Sequence, residues 1–238
     1  MPLRVLQPPH SCTSCEVRSL RLFCNLSGDA LVDYAAIGVD ANFQRGATLF
    51  SEGSAPDSVL VMCSGQVKLS CTSREGKTLI LKMAMPGDVL GLGAVLSGTP
   101  YEVSAETVTP TRIKSIRRSD FLRFIERHGE GSLNAARSVA EEYKAAFADA
   151  RRLALSGSAA ARLASVLLEW GKASTACGEH QTMRFTMALT HEELANLVGS
   201  SRETMTRMLG RFRKERLIEV RGASILILSP ERLEQMGA

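Results

Sequence analysis

The chain has 238 residues, 45% of them hydrophobic and 23% charged, with a formal net charge of +4. Such a length accommodates one large or two modest domains, and such an apolar fraction excludes a disordered chain. No run approaches the ~18 consecutive apolar residues of a membrane-spanning helix, and the N-terminus has no apolar stretch of secretory length, so a cytoplasmic location is expected.

The charge is unevenly distributed. Residues 151–238 hold 13 Lys/Arg and 9 Asp/Glu, whereas the first 150 hold 16 of each. Seven basic residues (Arg202, Arg207, Arg211, Arg213, Lys214, Arg216 and Arg221) lie within 201–221 against three acidic ones, Glu203, Glu215 and Glu219. A basic segment of this kind is either a solvated helix face or a surface for an anionic partner, nucleic acid first.

Taken in chain order, the first feature is sulfur. Cys12, Cys15 and Cys24 follow the spacing C-x2-C-x8-C, while Cys63, Cys71 and Cys177 stand among apolar or small residues and read as small buried hydrophobes. Without an export signal, structural disulfides are not expected. A C-x2-C pair lets two thiolates reach one metal or cluster from a tight turn, and soft sulfur ligands select iron–sulfur or zinc. A thiol redox switch and a metal-free role are the other readings.

From about 43 to 118 short strands alternate with turns. Phe43–Phe50, Ser58–Met62, Gln66–Ser70 and Thr78–Leu81 are the clearest, and the stretch 101–118 supplies two more, broken at Pro110. Strands this short with glycine turns predict a small antiparallel barrel or sandwich. From Ser119 the period changes: Leu133, Ala136, Ala140, Tyr143, Phe147 and Ala150 form a heptad seam on a helix running to about Leu153. The seam predicts a parallel dimer contact, and a helix lying on the barrel is the plainer reading. Ser156-Gly157-Ser158 marks a hinge or cap. A helix from Ala159 to about Lys172 and a short strand at Met183–Met187 follow.

Residues 190–228 are the most informative. Thr190 with Glu193 makes a capping box for a helix 191–198 that buries Leu194, Leu197 and Val198. Gly199 supplies a left-handed turn, and Ser200 or Ser201 caps a second helix. That helix buries Met205, Met208, Leu209 and Phe212 and turns Arg202, Glu203, Thr206 and Arg207 outward. Leu217–Val220, a Gly222 turn and Ser224–Leu228 then read as a hairpin wing. This is a helix-turn-helix, whose second helix enters the major groove of double-stranded DNA. Arg donates bidentately to guanine, and Glu accepts from cytosine N4.

The run Ser200-Ser201-Arg202-Glu203-Thr204-Met205-Thr206-Arg207 with its hairpin, following a barrel and a long helix, closely resembles the cyclic-AMP receptor / fumarate–nitrate regulator (CRP/FNR) superfamily. The resemblance covers about 20–230. It includes Gly46-Ala47-Thr48-Leu49-Phe50-Ser51-Glu52-Gly53, Ser64-Gly65-Gln66-Val67, Pro86-Gly87-Asp88 and Ala105-Glu106-Thr107. It implies an α+β chain with four parts. These are a cysteine-rich sensor segment (1–30), a cyclic-nucleotide-binding-like jelly-roll β-barrel (31–118), a dimerisation helix (119–154) and a winged helix-turn-helix (155–238).

The resemblance also implies a homodimeric transcription regulator, with RNA polymerase as a possible partner. Glu203 and Arg207 would be the main base readers and Arg202 would read a further guanine. Ser201 and Thr204 would contact phosphate, and Thr206 and Arg211 belong to the same DNA-binding surface. Arg at 202 is the residue of the cyclic-AMP-receptor branch and implies TGTGA-like half-sites in an inverted repeat.

Cyclic-nucleotide binders of the family carry a Gly-Glu pair followed by Arg-Ser or Arg-Thr. Here Leu92 stands in place of Glu, no Arg occurs within 91–105, and Glu102 near the Arg position would repel a phosphate, so no cyclic nucleotide is expected. Cys12, Cys15 and Cys24 lie where the oxygen-sensing branch holds its [4Fe-4S] cluster, which implies sensing of oxygen, redox state or nitric oxide. The fourth ligand has no match, because Lys114 stands where that branch has Cys. Cys63, Cys71, His10, Asp29 or Asp33 are the candidates. A same-fold regulator with a small-molecule effector in the barrel and no metal is the alternative. An enzyme is not expected: His10, His128, His180 and His191 form no metal motif, and neither a phosphate-binding loop nor a nucleophile elbow occurs.

Overall fold

The computed structural model describes residues 12–15, 18–155, 157–176 and 183–237. By contacts the chain divides into two units, 1–71 with 82–144 and 72–81 with 145–238. Cys177, His10 and His180 lie outside the described residues.

In the first unit, the single 3-10 turns Cys12–Ser14 and Arg18–Leu20 lead to α1 (Gly28–Ala36), which buries Ala30 and Tyr34. The strands are β1 (Val39–Phe43), β2 (Thr48–Phe50), β3 (Ser58–Ser64), β4 (Val67–Thr72), β5 (Thr78–Ala84) and β6 (Val89–Leu90). After α2 (Leu92–Ser97) come β7 (Ser104–Thr107) and β8 (Thr111–Arg117). They build two four-stranded sheets, β1-β8-β3-β6 and β2-β7-β4-β5, a sandwich, one of the two forms that the short strands and glycine turns predict.

Strand alternation divides the apolar residues of β3 between two layers. Leu60 and Met62 join Phe50, Val67, Leu69 and Ile113 in one, and Val59 and Val61 join Phe23, Leu26, Tyr34 and Ile116 in the other. This second layer lies on the opposite face of the β1-β8-β3-β6 sheet. Residues 43–50 differ from expectation. They are the end of β1, a turn through Gly46 at φ +81°, and β2, in different sheets.

The helix expected over 119–154 is two helices, α3 (Arg118–Arg127) and α4 (Gly129–Leu155). The break falls at His128, whose backbone is extended and whose Nε2 lies 2.8 Å from Asp33 Oδ2 on α1. Gly131 is tight against Phe124: a Cβ there would lie 2.6 Å from its ring. The seam residues Leu133, Ala136, Ala140, Tyr143, Phe147 and Ala150 all lie on α4, and all are exposed.

The second unit contains α5 (Ala159–Ala176), β9 (Arg184–Thr186), α6 (His191–Val198), α7 (Arg202–Lys214), β10 (Ile218–Arg221), β11 (Ser224–Ile227) and α8 (Pro230–Gly237). Ser158 caps α5, its Oγ accepting from Ala161 N at 3.1 Å. The three strands form one antiparallel sheet in the order β10-β11-β9. Trp170 of α5 meets Phe185 of β9 edge-on, with ring centroids 5.9 Å apart.

Candidate nucleic-acid interface and cysteine site

The helix pair α6–α7 is set by its caps. Thr190 Oγ1 accepts from Glu193 N, and Glu193 Oε2 accepts from Thr190 N at 2.9 Å, completing the capping box. Gly199 ends α6 in the left-handed region (φ 63°), and Ser201 caps α7 by accepting from Thr204 N at 3.2 Å. Met205, Met208, Leu209 and Phe212 are buried as their spacing requires. That burial turns Ser201, Arg202, Glu203, Thr206, Arg207 and Arg211 to the exposed face of one helix, with Thr204 half-buried.

The exposed face is internally braced. Thr206 Oγ1 donates to Arg202 O at 3.0 Å and lies 2.9 Å from His191 Nδ1. With the Thr206 proton directed at that carbonyl, His191 Nδ1 is the donor. The backbone N–H of Glu203 itself and the Ser201 hydroxyl hold the Glu203 carboxyl below its ordinary pKa, so it is ionised at neutral pH. Arg211 Nε pairs with Glu215 at 2.7 Å, which draws it along the helix flank. Beneath the turn, Arg162 of α5 donates from Nε to Val198 O at 2.6 Å and from Nη2 to Gly199 O at 3.3 Å. Neither His191 nor Arg162 was singled out from sequence as part of this site. His191 at the first position of α6 offers a local hint, whereas Arg162 is 36 residues from its acceptor.

The cysteines gather in the first unit. Cys12 and Cys24 both pack against the layer of Phe23, Leu26 and Tyr34. Tyr34, fully buried, donates its hydroxyl to the Cys24 sulfur. Burial pushes the Cys24 thiol up to about 11 and raises those of Cys12 and Cys63 as well. Cys63 and Cys71 are half-buried rather than buried, which corrects the expectation of inert core residues. Cys63, moreover, is close enough to Cys12 and Cys24 for a charge on one to act on the others.

Lys114 is 4% exposed; its Nζ donates to Ala35 O at 3.1 Å and stands 5.4 Å above the Tyr34 ring. Its charge acts on Cys12. The donor chemistry suits a thiophilic centre. Yet among the described residues no three His, Cys, Asp or Glu side chains stand at metal-holding spacing, so Cys12, Cys15 and Cys24 share a neighbourhood without forming a closed cage.

In the segment compared with the nucleotide cassette, Leu92 is fully buried with Val95 in the apolar layer. Tyr101 stacks on Phe50 at 4.1 Å and donates its hydroxyl to Ser58 O at 2.7 Å.

Residues 41–128 match the cyclic nucleotide-binding domain family, and residues 161–236 match the Crp-like helix-turn-helix domain family. Over 195 residues the chain is 31% identical to the CRP-like cAMP-activated global transcriptional regulator of Mycobacterium tuberculosis, covering 81% of this chain and 85% of that protein. The chain belongs to the CRP/FNR family. This CRP/FNR regulator is also 26% identical over 230 residues to the nitrogen fixation regulation protein FixK of Bradyrhizobium diazoefficiens, covering 96% and 94% of the two chains. It shares the fold of FixK2 from Bradyrhizobium japonicum, with a TM-score of 0.76 at 19% identity over 85% of this chain and 98% of that one. It is a DNA-binding transcription regulator, not an enzyme. No helix among the described residues is long and apolar enough to cross a membrane.

Proposed function

We propose that this CRP/FNR regulator acts as a homodimer on an inverted repeat of TGTGA-like half-sites, and that Cys12, Cys15 and Cys24 make its DNA binding responsive to oxygen, redox state or nitric oxide. The observation that carries the DNA reading is the exposed row Arg202, Glu203, Thr206 and Arg207 at the start of α7, braced from beneath by buried methionines and Phe212. In this reading Arg207 and Arg202 donate to guanines and Glu203 accepts from cytosine, while Ser201 and Thr204 meet phosphate at the helix N-terminus. Arg211, engaged with Glu215, has a subsidiary role at the flank. The exposed seam on α4 supports the homodimer.

The cysteines are read as ligands of a [4Fe-4S] cluster, whose chemistry is reaction with oxygen or nitric oxide. The chain's own part is to offer thiols from the Cys12–Ser14 turn and from Cys24 beside Tyr34. The segment after Cys24 is fastened to the first turns of α4. Asn134 Nδ2 donates to Asn25 O at 3.0 Å, and Ser27 N donates to Glu130 Oε2 at 3.0 Å. A change at Cys24 is thereby transmitted to the helix that bears the dimer seam. Cyclic nucleotide is not the effector in this reading, since Leu92 is packed in the apolar layer and 91–105 holds no Arg.

The test is fluorescence anisotropy on a TGTGA inverted-repeat duplex, using protein purified without oxygen and assayed for iron and sulfide. Arg207→Ala is expected to cost about 1–3 kcal/mol in binding and to relax selectivity at one guanine. Binding equal to that of the unsubstituted protein would overturn the base-reading assignment. Absence of iron and sulfide would overturn the cluster.

A further inference from the structure

Thr206 stands in the outward row of α7, one helical turn after Arg202 and next to Arg207 in the chain. Its hydroxyl is engaged on both sides. The proton goes to Arg202 O at 3.0 Å, and His191 Nδ1 donates to the oxygen at 2.9 Å. A threonine on a helix divides between two rotamers because its hydroxyl can bond a carbonyl of the preceding turn. Here the bond to Arg202 O selects a rotamer, and His191 holds it from a different helix, 15 residues away in the chain. His191 is the first residue of α6, and the capping box of Thr190 with Glu193 fixes that end of the helix. Both side chains are exposed, so water can replace either partner. The contact therefore fixes a conformation more than it stabilises the fold.

We propose that Thr206 reads a thymine through its methyl group, and that His191 is the positioning residue that makes this contact selective. This rests on reading α7 as the helix that enters the major groove, and it deepens that reading at one position. A free threonine hydroxyl bonds a donor or an acceptor on a base edge and so discriminates poorly. The Thr206 hydroxyl has given its proton to Arg202 O and accepts from His191, so it has no proton left for a base acceptor. Its methyl is what remains, and the counterpart in the groove is the C5-methyl group of thymine. The chemistry recognised is thus a 5-methylpyrimidine. Deoxyuridine in place of thymidine leaves every hydrogen-bonding group of the base pair intact and removes only the methyl surface. Arg202, Glu203 and Arg207 read hydrogen-bonding groups and are blind to that exchange.

The experiment is fluorescence anisotropy with the full-length protein on the TGTGA inverted repeat and on a site selected from a randomised duplex pool. Each thymine is replaced in turn, in both half-sites, by deoxyuridine. A single thymine position is expected to stand out, with binding weakened about fourfold per half-site, the transfer free energy of one buried methyl group. Thr206→Ser keeps the hydroxyl without the methyl and should bind the thymine and deoxyuridine duplexes equally. His191→Ala frees the hydroxyl and should lose most of the thymine preference. His191→Asn, whose amide donates from about the place of Nδ1, should restore it. Thr206→Val keeps the shape with no hydroxyl to hold, so its thymine preference should persist with or without His191. The readout is the ratio between the two duplexes, which a general loss of affinity or of fold does not imitate. Equal binding of both duplexes at every position by the unsubstituted protein overturns the proposal, and that measurement needs no variant. A loss of affinity in His191→Ala that is the same for both duplexes makes His191 a phosphate contact and overturns its positioning role. If Arg207→Ala weakens binding while deoxyuridine has no effect, the base-reading row stands and the methyl contact falls. If no sequence is preferred at all, both fall.

Discussion

Replacing Arg162 with Leu should destabilise the DNA-binding unit selectively. The guanidinium caps the last turn of α6, donating to Val198 O at 2.6 Å and to Gly199 O at 3.3 Å. Val198 is 1% exposed, so its carbonyl has little access to water as a substitute partner. Orphaning a buried carbonyl costs about 1–3 kcal/mol, and removing a cation from a helix C-terminus costs about 0.3–1 kcal/mol more. The longer bond to Gly199 adds little. The sum is about 1.3–4 kcal/mol, roughly tenfold or more in the folding equilibrium. Arg162→Lys keeps the charge but lacks the fork that serves two carbonyls, and should cost about half as much. The assay is urea unfolding followed by tryptophan fluorescence. Trp170 is the only Trp in the chain and packs against Phe185 in the same unit, so the signal follows that unit alone. A midpoint for Arg162→Leu indistinguishable from that of the unsubstituted protein, at equal slope, would refute the reasoning.

Four further outcomes are expected. Thr190→Ala removes the capping box of α6 and should cost about 1 kcal/mol in the same fluorescence assay, with Thr190→Ser close to unchanged. Arg216 holds φ 56° between α7 and the wing, and Arg216→Gly should stabilise the unit by up to about 1 kcal/mol, read as a higher urea midpoint, by relieving the left-handed strain. Gly65→Ala should destabilise the sandwich by more than about 2 kcal/mol, read by circular dichroism. At φ +90° its new Cβ would lie 2.6 Å from Pro110 O and 2.7 Å from Thr111 Cα, both backbone atoms that cannot swing aside. Glu142, half-buried on α4, has its carboxyl raised by burial and by Asp88 and Glu102, with Lys82 opposing. A folded pKa above the unfolded one means the folded state binds the proton more tightly. Stability contributed by this group is thus present at low pH and lost as pH rises through the raised pKa. Glu142→Gln should therefore be more stable than the unsubstituted protein at pH 8, with the advantage vanishing below pH 4. An advantage that is constant with pH would reject the assignment.

Much of the DNA-binding unit was legible in the sequence because its signals are local. Thr190 with Glu193, Gly199 and the four buried positions of α7 lie within a few residues of what they organise, so spacing alone locates both helices and selects the outward row at 202, 203, 206 and 207. The antiparallel barrel or sandwich was legible for the same reason, through short alternating strands and left-handed glycines at turns such as Gly46 and Gly76. What escaped depends on partners far along the chain. Helical periodicity ran unbroken through His128, yet α3 ends there, where the ring meets Asp33, 95 residues away. Lys114 drew attention only as the residue at the family's cysteine position, yet Tyr34 and the carbonyl of Ala35, 79 residues away, accept it in a buried position. Cys63 read as a small buried hydrophobe or one of several candidate ligands, and Arg162 drew no notice at all. A pattern in sequence reports which face of an element is apolar. Which elements that face meets is decided by packing, and there the contact of His191 with Thr206 and the fork beneath α6 acquire their meaning.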